Sequence, residues 1–425
     1  MAGQYAGDFN LITIDLIDTM GQVQSLRFVF LEVNVYEDLN SNNITCDILI
    51  NDANDLLINF PVNQINNGIF GYETLNLSFQ TPNQGIWTKK FRLVGITDRH
   101  LLREREMGYI LHFVTPEAVQ NLRTRVSKSY KGKLISDIVS DLHNNLLGGG
   151  TINIEPTKTQ HHVIVPNIYP VQAINWLATR ANSAQFAGAN YLYYQDKNQF
   201  NFISMESCLQ QKASQTYLFQ VANVRKDTPD GYHAVTITSD QVAIQQYTFD
   251  HFSNILSNMR AGMYGNQLFV HSQVNKQWKH YEFDYPSSFG DYQHLYPNNP
   301  LWSTGGTGAP TNSPMSKLKL FPDGPPDFPF VPQNWIPVRI SQLQQLENIK
   351  LTVTVPGDSD RTIGQVVTVN LPSPERLQNG NVQVNDKYYQ GKFLISSLRH
   401  KIDVNKYISV MELIKDSTFT PYPNS

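Results

Sequence analysis

The runs LTVTVPGD (351–358), IGQVVTVNLP (363–372), YYQGKFLISSLRHKI (388–402) and KYISVMELIKD (406–416) follow one another with no helix-forming stretch between them. Each is rich in β-branched or aromatic residues, and each is stopped by Pro, Gly, Asn or Asp. Branched side chains suit a pleated surface and the stop residues suit turn dihedrals, so the pattern is one of antiparallel strands joined by turns. A small closed or nearly closed β-barrel is the expected result. No clustered His or Cys accompanies these strands, which reads as a wall and an interface rather than a reaction vessel.

The first 115 residues repeat the pattern. Strands are expected at Asn10 to Ile17, Ser25 to Tyr36, Asn43 to Ile50, Thr74 to Gln80, Lys89 to Thr97 and Met107 to Phe113. In TLNLSFQ, Leu75, Leu77 and Phe79 alternate with Thr74, Asn76, Ser78 and Gln80, which gives one buried face and one polar face. This is a second β-unit of similar size and strand number, although the two halves share no visible sequence similarity.

Between the two units the period changes. Leu134, Ile135, Ile138, Val139 and Leu142 recur at helical spacing, and Gly148 to Gly150 stop that helix. A second helix is expected from about Pro170 to Arg180, followed by a hairpin in YLYYQDKNQFNFISM with its turn at Asp196 to Asn198. Strands return at Tyr217 to Val224 and His233 to Gln246, joined through Pro229-Asp230-Gly231. A less regular stretch rich in Tyr, His and Trp comes next, then Ser303 to Gln333, too crowded with Gly and Pro for a helix interior or a central strand. Ile340 to Ile349 reads as a short amphipathic helix. The fold class is therefore α+β, predominantly β: two small antiparallel β-barrels carrying two α+β insertions. The domain reading is 1–115, 116–210, 211–247 joined with 336–425, and 248–335.

Composition narrows the function. Of the 425 residues, 16% are charged against a norm of about 25%, and the formal net charge is −3. That balance offers no field for holding nucleic acid through its phosphates. A neutral surface with 21 Tyr and 22 Phe suits lasting contact with other proteins. Cys46 and Cys208 are too few for a disulfide framework and read as buried fillers. The N-terminus lacks the basic and apolar regions of a secretory signal, and no apolar run is long enough to span a bilayer. The expected setting is a cytoplasm, or a larger particle that leaves the cell.

Candidate chemistry is sparse. His161 and His162 are adjacent on an expected strand and so point to opposite faces, which prevents them from sharing a metal. His251, His271, His280 and His294 follow no zinc spacing. Gly148 to Gly150 close a helix, whereas a phosphate loop opens one. Asp358 and Asp360 sit in a turn beside Pro356-Gly357. Arg123, Arg125, Lys128, Lys131 and Lys133 form a basic run, read as a solvated face ahead of a helix. No catalytic, cofactor-binding or metal-ligating residue is assigned, and no cofactor is expected.

The ending VPGDSDRTIGQVVTVNLPSPE, DKYYQGKFLISSLRHKID and KYISVMELIKDS resembles the second tube-forming barrel of the central baseplate hub proteins of contractile-tailed, T4-like bacteriophages. Ser127 to Gly132, the helix at 170–180 and AGMYGNQLFVHSQ (261–273) are similar to the same family in the same order. The resemblance implies a structural, non-catalytic subunit of the virion's tail baseplate. It implies a homotrimer whose six barrels, at about 8–115 and at 211–247 plus 336–418, form a pseudo-sixfold ring. The implied partners are a threefold central spike, the sixfold tail tube or its initiator, the tape measure protein and other baseplate proteins, with no membrane and no specific nucleic-acid contact. Two other functions suit a β-rich tail protein: a glycan hydrolase, and a carbohydrate binder using Trp278 and Trp302.

Overall fold

A computed structural model describes residues 6–53, 56, 68–69, 71–219, 241–252, 255–272, 276–299, 315–316, 321–322, 332–346, 348–373 and 385–421. The chain is predominantly β, with most strands in one 14-stranded sheet and the helices grouped in the connecting segments.

The first unit holds β1 (Asn10–Ile17), β2 (Val23–Ser25), β3 (Phe30–Asp38), β4 (Thr45–Asp52), β5 (Thr74–Gln80), β6 (Trp87–Arg103) and β7 (Glu106–Val114). Their alternation buries Ile14, Val33, Val35, Ile48, Leu75, Leu77, Phe79, Phe91, Leu111 and Phe113 in one core. Ser25 to Tyr36, expected as one strand, is two. The Leu26 N–H turns back to the Ile14 carbonyl at 2.8 Å, and Val29 and Phe30 both bond to the Leu26 carbonyl, so a tight turn separates β2 from β3. β6 is longer than expected, at 17 residues.

The first connecting segment opens with a helix the sequence pattern did not reveal, α1 (Pro116–Arg123), started by the proline whose fixed φ suits a first turn. β8 (Val126–Leu134) carries the three lysines of the basic run and leads straight into α2 (Ile135–Leu146); β9 (Ile152–Ile154), β10 (Gln160–Ile168) and α3 (Pro170–Ala178) follow. Gly148 and Gly149 end α2 with φ of +95° and +72°, values that favour glycine. The expected hairpin is present as β11 (Tyr191–Gln195) and β12 (Phe200–Ser204), its turn held by Asp196 Oδ1 accepting the Asn198 and Gln199 N–H groups at 2.6 and 2.7 Å. A short helix, α4 (Met205–Leu209), completes the segment.

β13 (Thr216–Phe219), β14 (Ala243–Ile244) and β15 (Gln246–Phe252) begin the second unit; the expected turn at 229–231 and most of the two strands flanking it lie outside the described residues. The supposedly irregular Tyr- and Trp-rich stretch is a regular hairpin, β16 (Gly265–Ser272) with β17 (Gln277–Asp284), paired in register from Gly265↔Asp284 to Ser272↔Gln277. From the Pro- and Gly-rich arm, β18 (Met315–Ser316) and β19 (Phe321–Pro322) pair in parallel with β16. The helix expected at 340–349 starts earlier, at Ile336–Leu346, with Pro337 in its first turn, and Ile349 already belongs to the next strand.

That strand is β20 (Ile349–Pro356), followed by β21 (Val366–Asn370), β22 (Gly391–Asp403) and β23 (Tyr407–Lys415). Hydrogen bonding in the first unit runs β3-β4-β7-β6-β5-β1, and in the second β15-β20-β23-β22-β21-β13. Ranked by position along the chain within each unit, the two orders are the same. The two units are further joined into one sheet, because β22, 13 residues long, pairs with β21 through its first part and with β3 through its second. Ile402, near the end of β22, and Tyr407, at the start of β23, consequently belong to the core of the first unit.

A strand that feeds both cores couples them. Ile402→Ala is expected to destabilise the first unit by about 2–5 kcal/mol, the ordinary cost of emptying a buried Ile site. Chemical denaturation of wild type and variant should give one shared transition moving to lower denaturant; separate transitions with only one displaced would contradict the coupling.

Candidate functional site

The functional geometry of the described residues is concentrated where the two units and the first connecting segment meet. β3 and β22 pair antiparallel from Ser397↔Asp38 to Asp403↔Glu32. On the outer face Arg399 Nε donates to Asn34 Oδ1 at 2.8 Å, Arg399 and Lys401 reach Glu32 at 3.2 and 2.9 Å, and Ser397 Oγ donates to Asp38 at 2.8 Å. These half-exposed pairs fix register more than they stabilise.

The inner face carries Leu398, His400 and Ile402 from β22 against Val33, Val35 and Glu37 from β3, all buried. Glu37 is met by Thr362 Oγ1, by the Ile363 N–H at 3.3 Å, by Trp87 Nε1 at 3.4 Å and by His400 Nε2 at 3.4 Å. Burial by itself would raise the Glu37 carboxyl. The hydrogen bond and charge of His400, with the Thr362 hydroxyl and Ile363 N–H, outweigh it and hold the group below the usual carboxylate range. His400 Nδ1 lies 2.5 Å from the Tyr407 hydroxyl, which donates to the Asp358 carbonyl at 3.1 Å. Burial pushes the Tyr407 phenol far up. Gly357 is required here, since a Cβ at that position would stand 2.2 Å from the Tyr407 ring.

The loop after β20 makes the second tie. Ser359 and Thr81 exchange bonds through hydroxyls 2.9 Å apart and through both backbone N–H groups, and Ser359 Oγ donates to the Gly85 carbonyl at 2.7 Å. Asp360 accepts from the Gly85 N–H at 2.9 Å and from Lys197 Nζ at 2.7 Å, and Lys197 also reaches the Ser359 carbonyl. Burial would raise the Asp360 carboxyl, but Lys197 and Gly85 bring it below its ordinary value. Asp358 instead pairs with Arg361 at 2.8 Å, whose guanidinium lies 4.8 Å over the Tyr217 ring and is lowered to about 10 by burial. The two aspartates of the turn thus serve separate structural ties.

The other singled-out residues are dispersed. His161 is buried and His162 exposed on β10, as alternation requires, and burial lowers His161 to about 4. His294 bonds Asp416 at 2.7 Å and stacks on Phe289; His271 lies by Trp278, and His280 stacks on Phe269. His251 lies on β15. Of the basic run, Lys128 pairs with Asp141 at 2.7 Å and Arg125 lies 4.6 Å over Tyr169; Lys128, Lys131 and Lys133 are on β8, directly ahead of α2, and Arg123 ends α1. Cys46 and Cys208 are buried free thiols, burial raising Cys46 and pushing Cys208 up to about 12. Glu155, the most heavily bonded buried carboxylate of the connecting segment, is occupied by Ser183, Ser204, Ser207 and Tyr191. Trp278 is exposed, whereas Trp302 lies outside the described residues. Among the described residues no group of three His, Cys, Asp or Glu side chains could hold a metal, and no helix is long and apolar enough to cross a membrane.

Sequence reading missed the joint. One signal was available: the alternation of LRHKI places His400 in the same row as Leu398 and Ile402, so a histidine faces a core. Glu37 stands likewise in the row of Val33 and Val35.

The fold, two β-units of one strand order merged through a shared strand and separated by a helical segment, is similar to that of solved tail proteins. No family model matches the chain. The 43 kDa tail protein of prophage MuSo2 from Shewanella oneidensis superposes with a TM-score of 0.56 at 9% identity, over 95% of this chain and 98% of that one. A tail protein from Neisseria meningitidis MC58 gives 0.51 at 11% identity, over 96% and 98%. A probable baseplate hub protein, gp334 of Vibrio phage KVP40, is 21% identical over 372 residues, covering 82% of each chain. The chain resembles the baseplate hub proteins of contractile-tailed phages, as its C-terminal strands led us to expect.

Glu37→Leu would leave His400, Trp87 and Thr362 without their buried anion, a loss of about 3 kcal/mol read from denaturant unfolding at neutral pH. The folded-state acidity of Glu37 is lowered, so its contribution is complete above the ordinary carboxylate range and disappears as pH falls through the lowered value. Glu37→Gln should accordingly flatten the acid side of the stability profile below about pH 4; an unchanged acid limb would remove Glu37 from the account.

Proposed function

We propose that this chain is a baseplate hub subunit that forms a homotrimeric, pseudo-sixfold ring. The ring joins a threefold central spike to the sixfold tail tube or its initiator, with the tape measure protein and other baseplate proteins as further neighbours. The observation that carries the reading is the repeated strand order, which supplies two like units per chain and six per trimer. Symmetry matching of this kind needs like units at alternating positions, and closed rings are the common outcome of repeated head-to-tail contact.

Each unit is read as a small tube barrel. In the second, β14 pairs with β13 and runs on into β15, which pairs with β20, while the intervening Gln245 N–H bonds to Thr354 at 2.8 Å. In the first, the segment from β2 to Leu26 holds to β1, antiparallel where β14 and β13 are parallel. The barrels are assigned to 1–115 and to 211–247 with 336–425, and the segments 116–210 and 248–335 to the outside or the spike-facing rim. The role is structural and without catalysis: Asp358, Asp360, Glu37 and Glu155, the carboxylates best placed to act, are each committed to ties within the chain.

Native mass measurement tests the reading. The expected mass is three times the 48.4 kDa chain, with three copies per complex when the spike is co-expressed. A chain that stays monomeric with and without the spike would sink it.

A further inference from the structure

The contact made inside the chain between the units has a counterpart left open, and it involves two edges. β22 leaves its unit neighbour β21 at Leu394, shifts register against β23 between Ile395 and Ser397, and then offers its outer edge to β3. β6 holds the same rank in the first unit. It leaves β5 at Arg92, shifts register against β7 between Leu93 and Gly95, and continues to Arg103 with β7 on one side only among the described residues. On the receiving side, β3 takes β4 on one edge and β22 on the other. β15 has the rank of β3, yet among the described residues it pairs with β20 alone.

We infer that the free edge of β6, residues 95–103, pairs antiparallel with β15 of a second copy, reproducing between chains the β22·β3 contact made within one. The inference rests on the ring reading above and names the strands that would close the ring. It also specifies register. Gly95 faces His112 as Ser397 faces Glu412, and β6 shifts again against β7 between Thr97 and His100, so His100 facing Gly108 holds the place of Lys401 facing Ile408, and Leu101 that of Ile402. Asn34 connects through Asp47 to His112 as Thr248 connects through Thr352 to Glu412, so Thr248 corresponds to Asn34 and Tyr247 to Val33. Lys401 pairs with Asn34 and Ile402 with Val33, and the equivalent pairs between copies are His100 with Thr248 and Leu101 with Tyr247.

A second observation agrees. Just short of the tip of the β22–β23 hairpin, Ile402 and Tyr407 are buried in the other unit's core. The β6–β7 hairpin also carries apolar residues just short of its tip, but Leu101 is 66% and Leu102 44% exposed. A long edge strand capped by exposed leucines is a template for another strand unless it is covered. Among the described residues of one chain nothing covers it, whereas a neighbour's second unit would, as the first unit covers Ile402. The outer polar row would be weaker between copies, since Thr97, His100 and Gln246 stand where Arg399, Lys401 and Glu32 do. This suits a junction formed after each chain has folded.

Two paired substitutions test it, His100→Cys with Thr248→Cys and Leu101→Cys with Tyr247→Cys, against each single variant. Directly facing residues of an antiparallel pair have Cα atoms about 4.5–5.5 Å apart, within disulfide reach, and the native Cys46 and Cys208 are buried. Oxidation of a paired variant should give covalent dimers and trimers on a non-reducing gel, absent from the singles. Leu101→Glu with Leu102→Glu should shift the native mass from trimer to monomer while leaving the melting transition of the single chain in place. A native trimer in which neither pair cross-links and the glutamates change nothing would overturn the strand assignment while sparing the ring reading. A wild-type monomer at every concentration would overturn both.

Discussion

Everything distinctive in this molecule depends on β22 being longer than the unit that contains it. A strand of 13 residues whose first part pairs with β21 has hydrogen-bonding groups to spare beyond that neighbour. Backbone donors and acceptors left without partners in a buried setting cost about as much as lost hydrogen bonds, so the surplus edge must be met, and β3 meets it. Two cores that could have been independent become one sheet. Because side chains alternate along a strand, the same extension that pairs with β3 also drives His400 and Ile402 against the first unit.

Burying a histidine and a glutamate at that boundary is costly unless each finds partners. The partners come from every neighbouring element: Trp87 from β6, Thr362 and Ile363 from the loop after β20, and Tyr407 from β23. Such a network tolerates few alternative arrangements, because moving any one member leaves a polar group unpaired. It acts as a register lock between units, and the exposed ion pairs of Arg399 and Lys401 with Glu32 add little beyond confirming the alignment. For a protein whose work is to hold a fixed geometry between other components, a joint that resists slippage matters more than one of maximal strength.

The strand alternation itself was plain in the sequence. TLNLSFQ and YISVMELIK each show period two, and the observed burial follows it. Helices α2 and α3 were also legible, one from apolar spacing closed by glycines, the other from Pro170 at its first turn. Legibility failed where a tight turn contains no turn residue: Leu26 to Val29 interrupts a continuous β-forming run, and only the bond from Leu26 back to Ile14 reveals the break. It failed again for β16 and β17, whose His, Tyr and Trp content masked an ordinary hairpin. The joint was the deepest omission, since its members stand far apart along the chain, at 37, 81, 87, 197, 359–363, 400 and 407.

Sequence alone thus determined the composition of the surface, the period of each strand and the presence of two β-rich units, because these follow from side-chain chemistry read over a few neighbours. Only the tertiary structure decided that the units have the same strand order, that β22 belongs to both, and that among the described residues β6 and β15 are left with open edges. Pairing between strands is set by which backbone groups meet in space, and sequence spacing does not encode those meetings directly. A strand's length is written in the chain; how much of it its own unit can use is not.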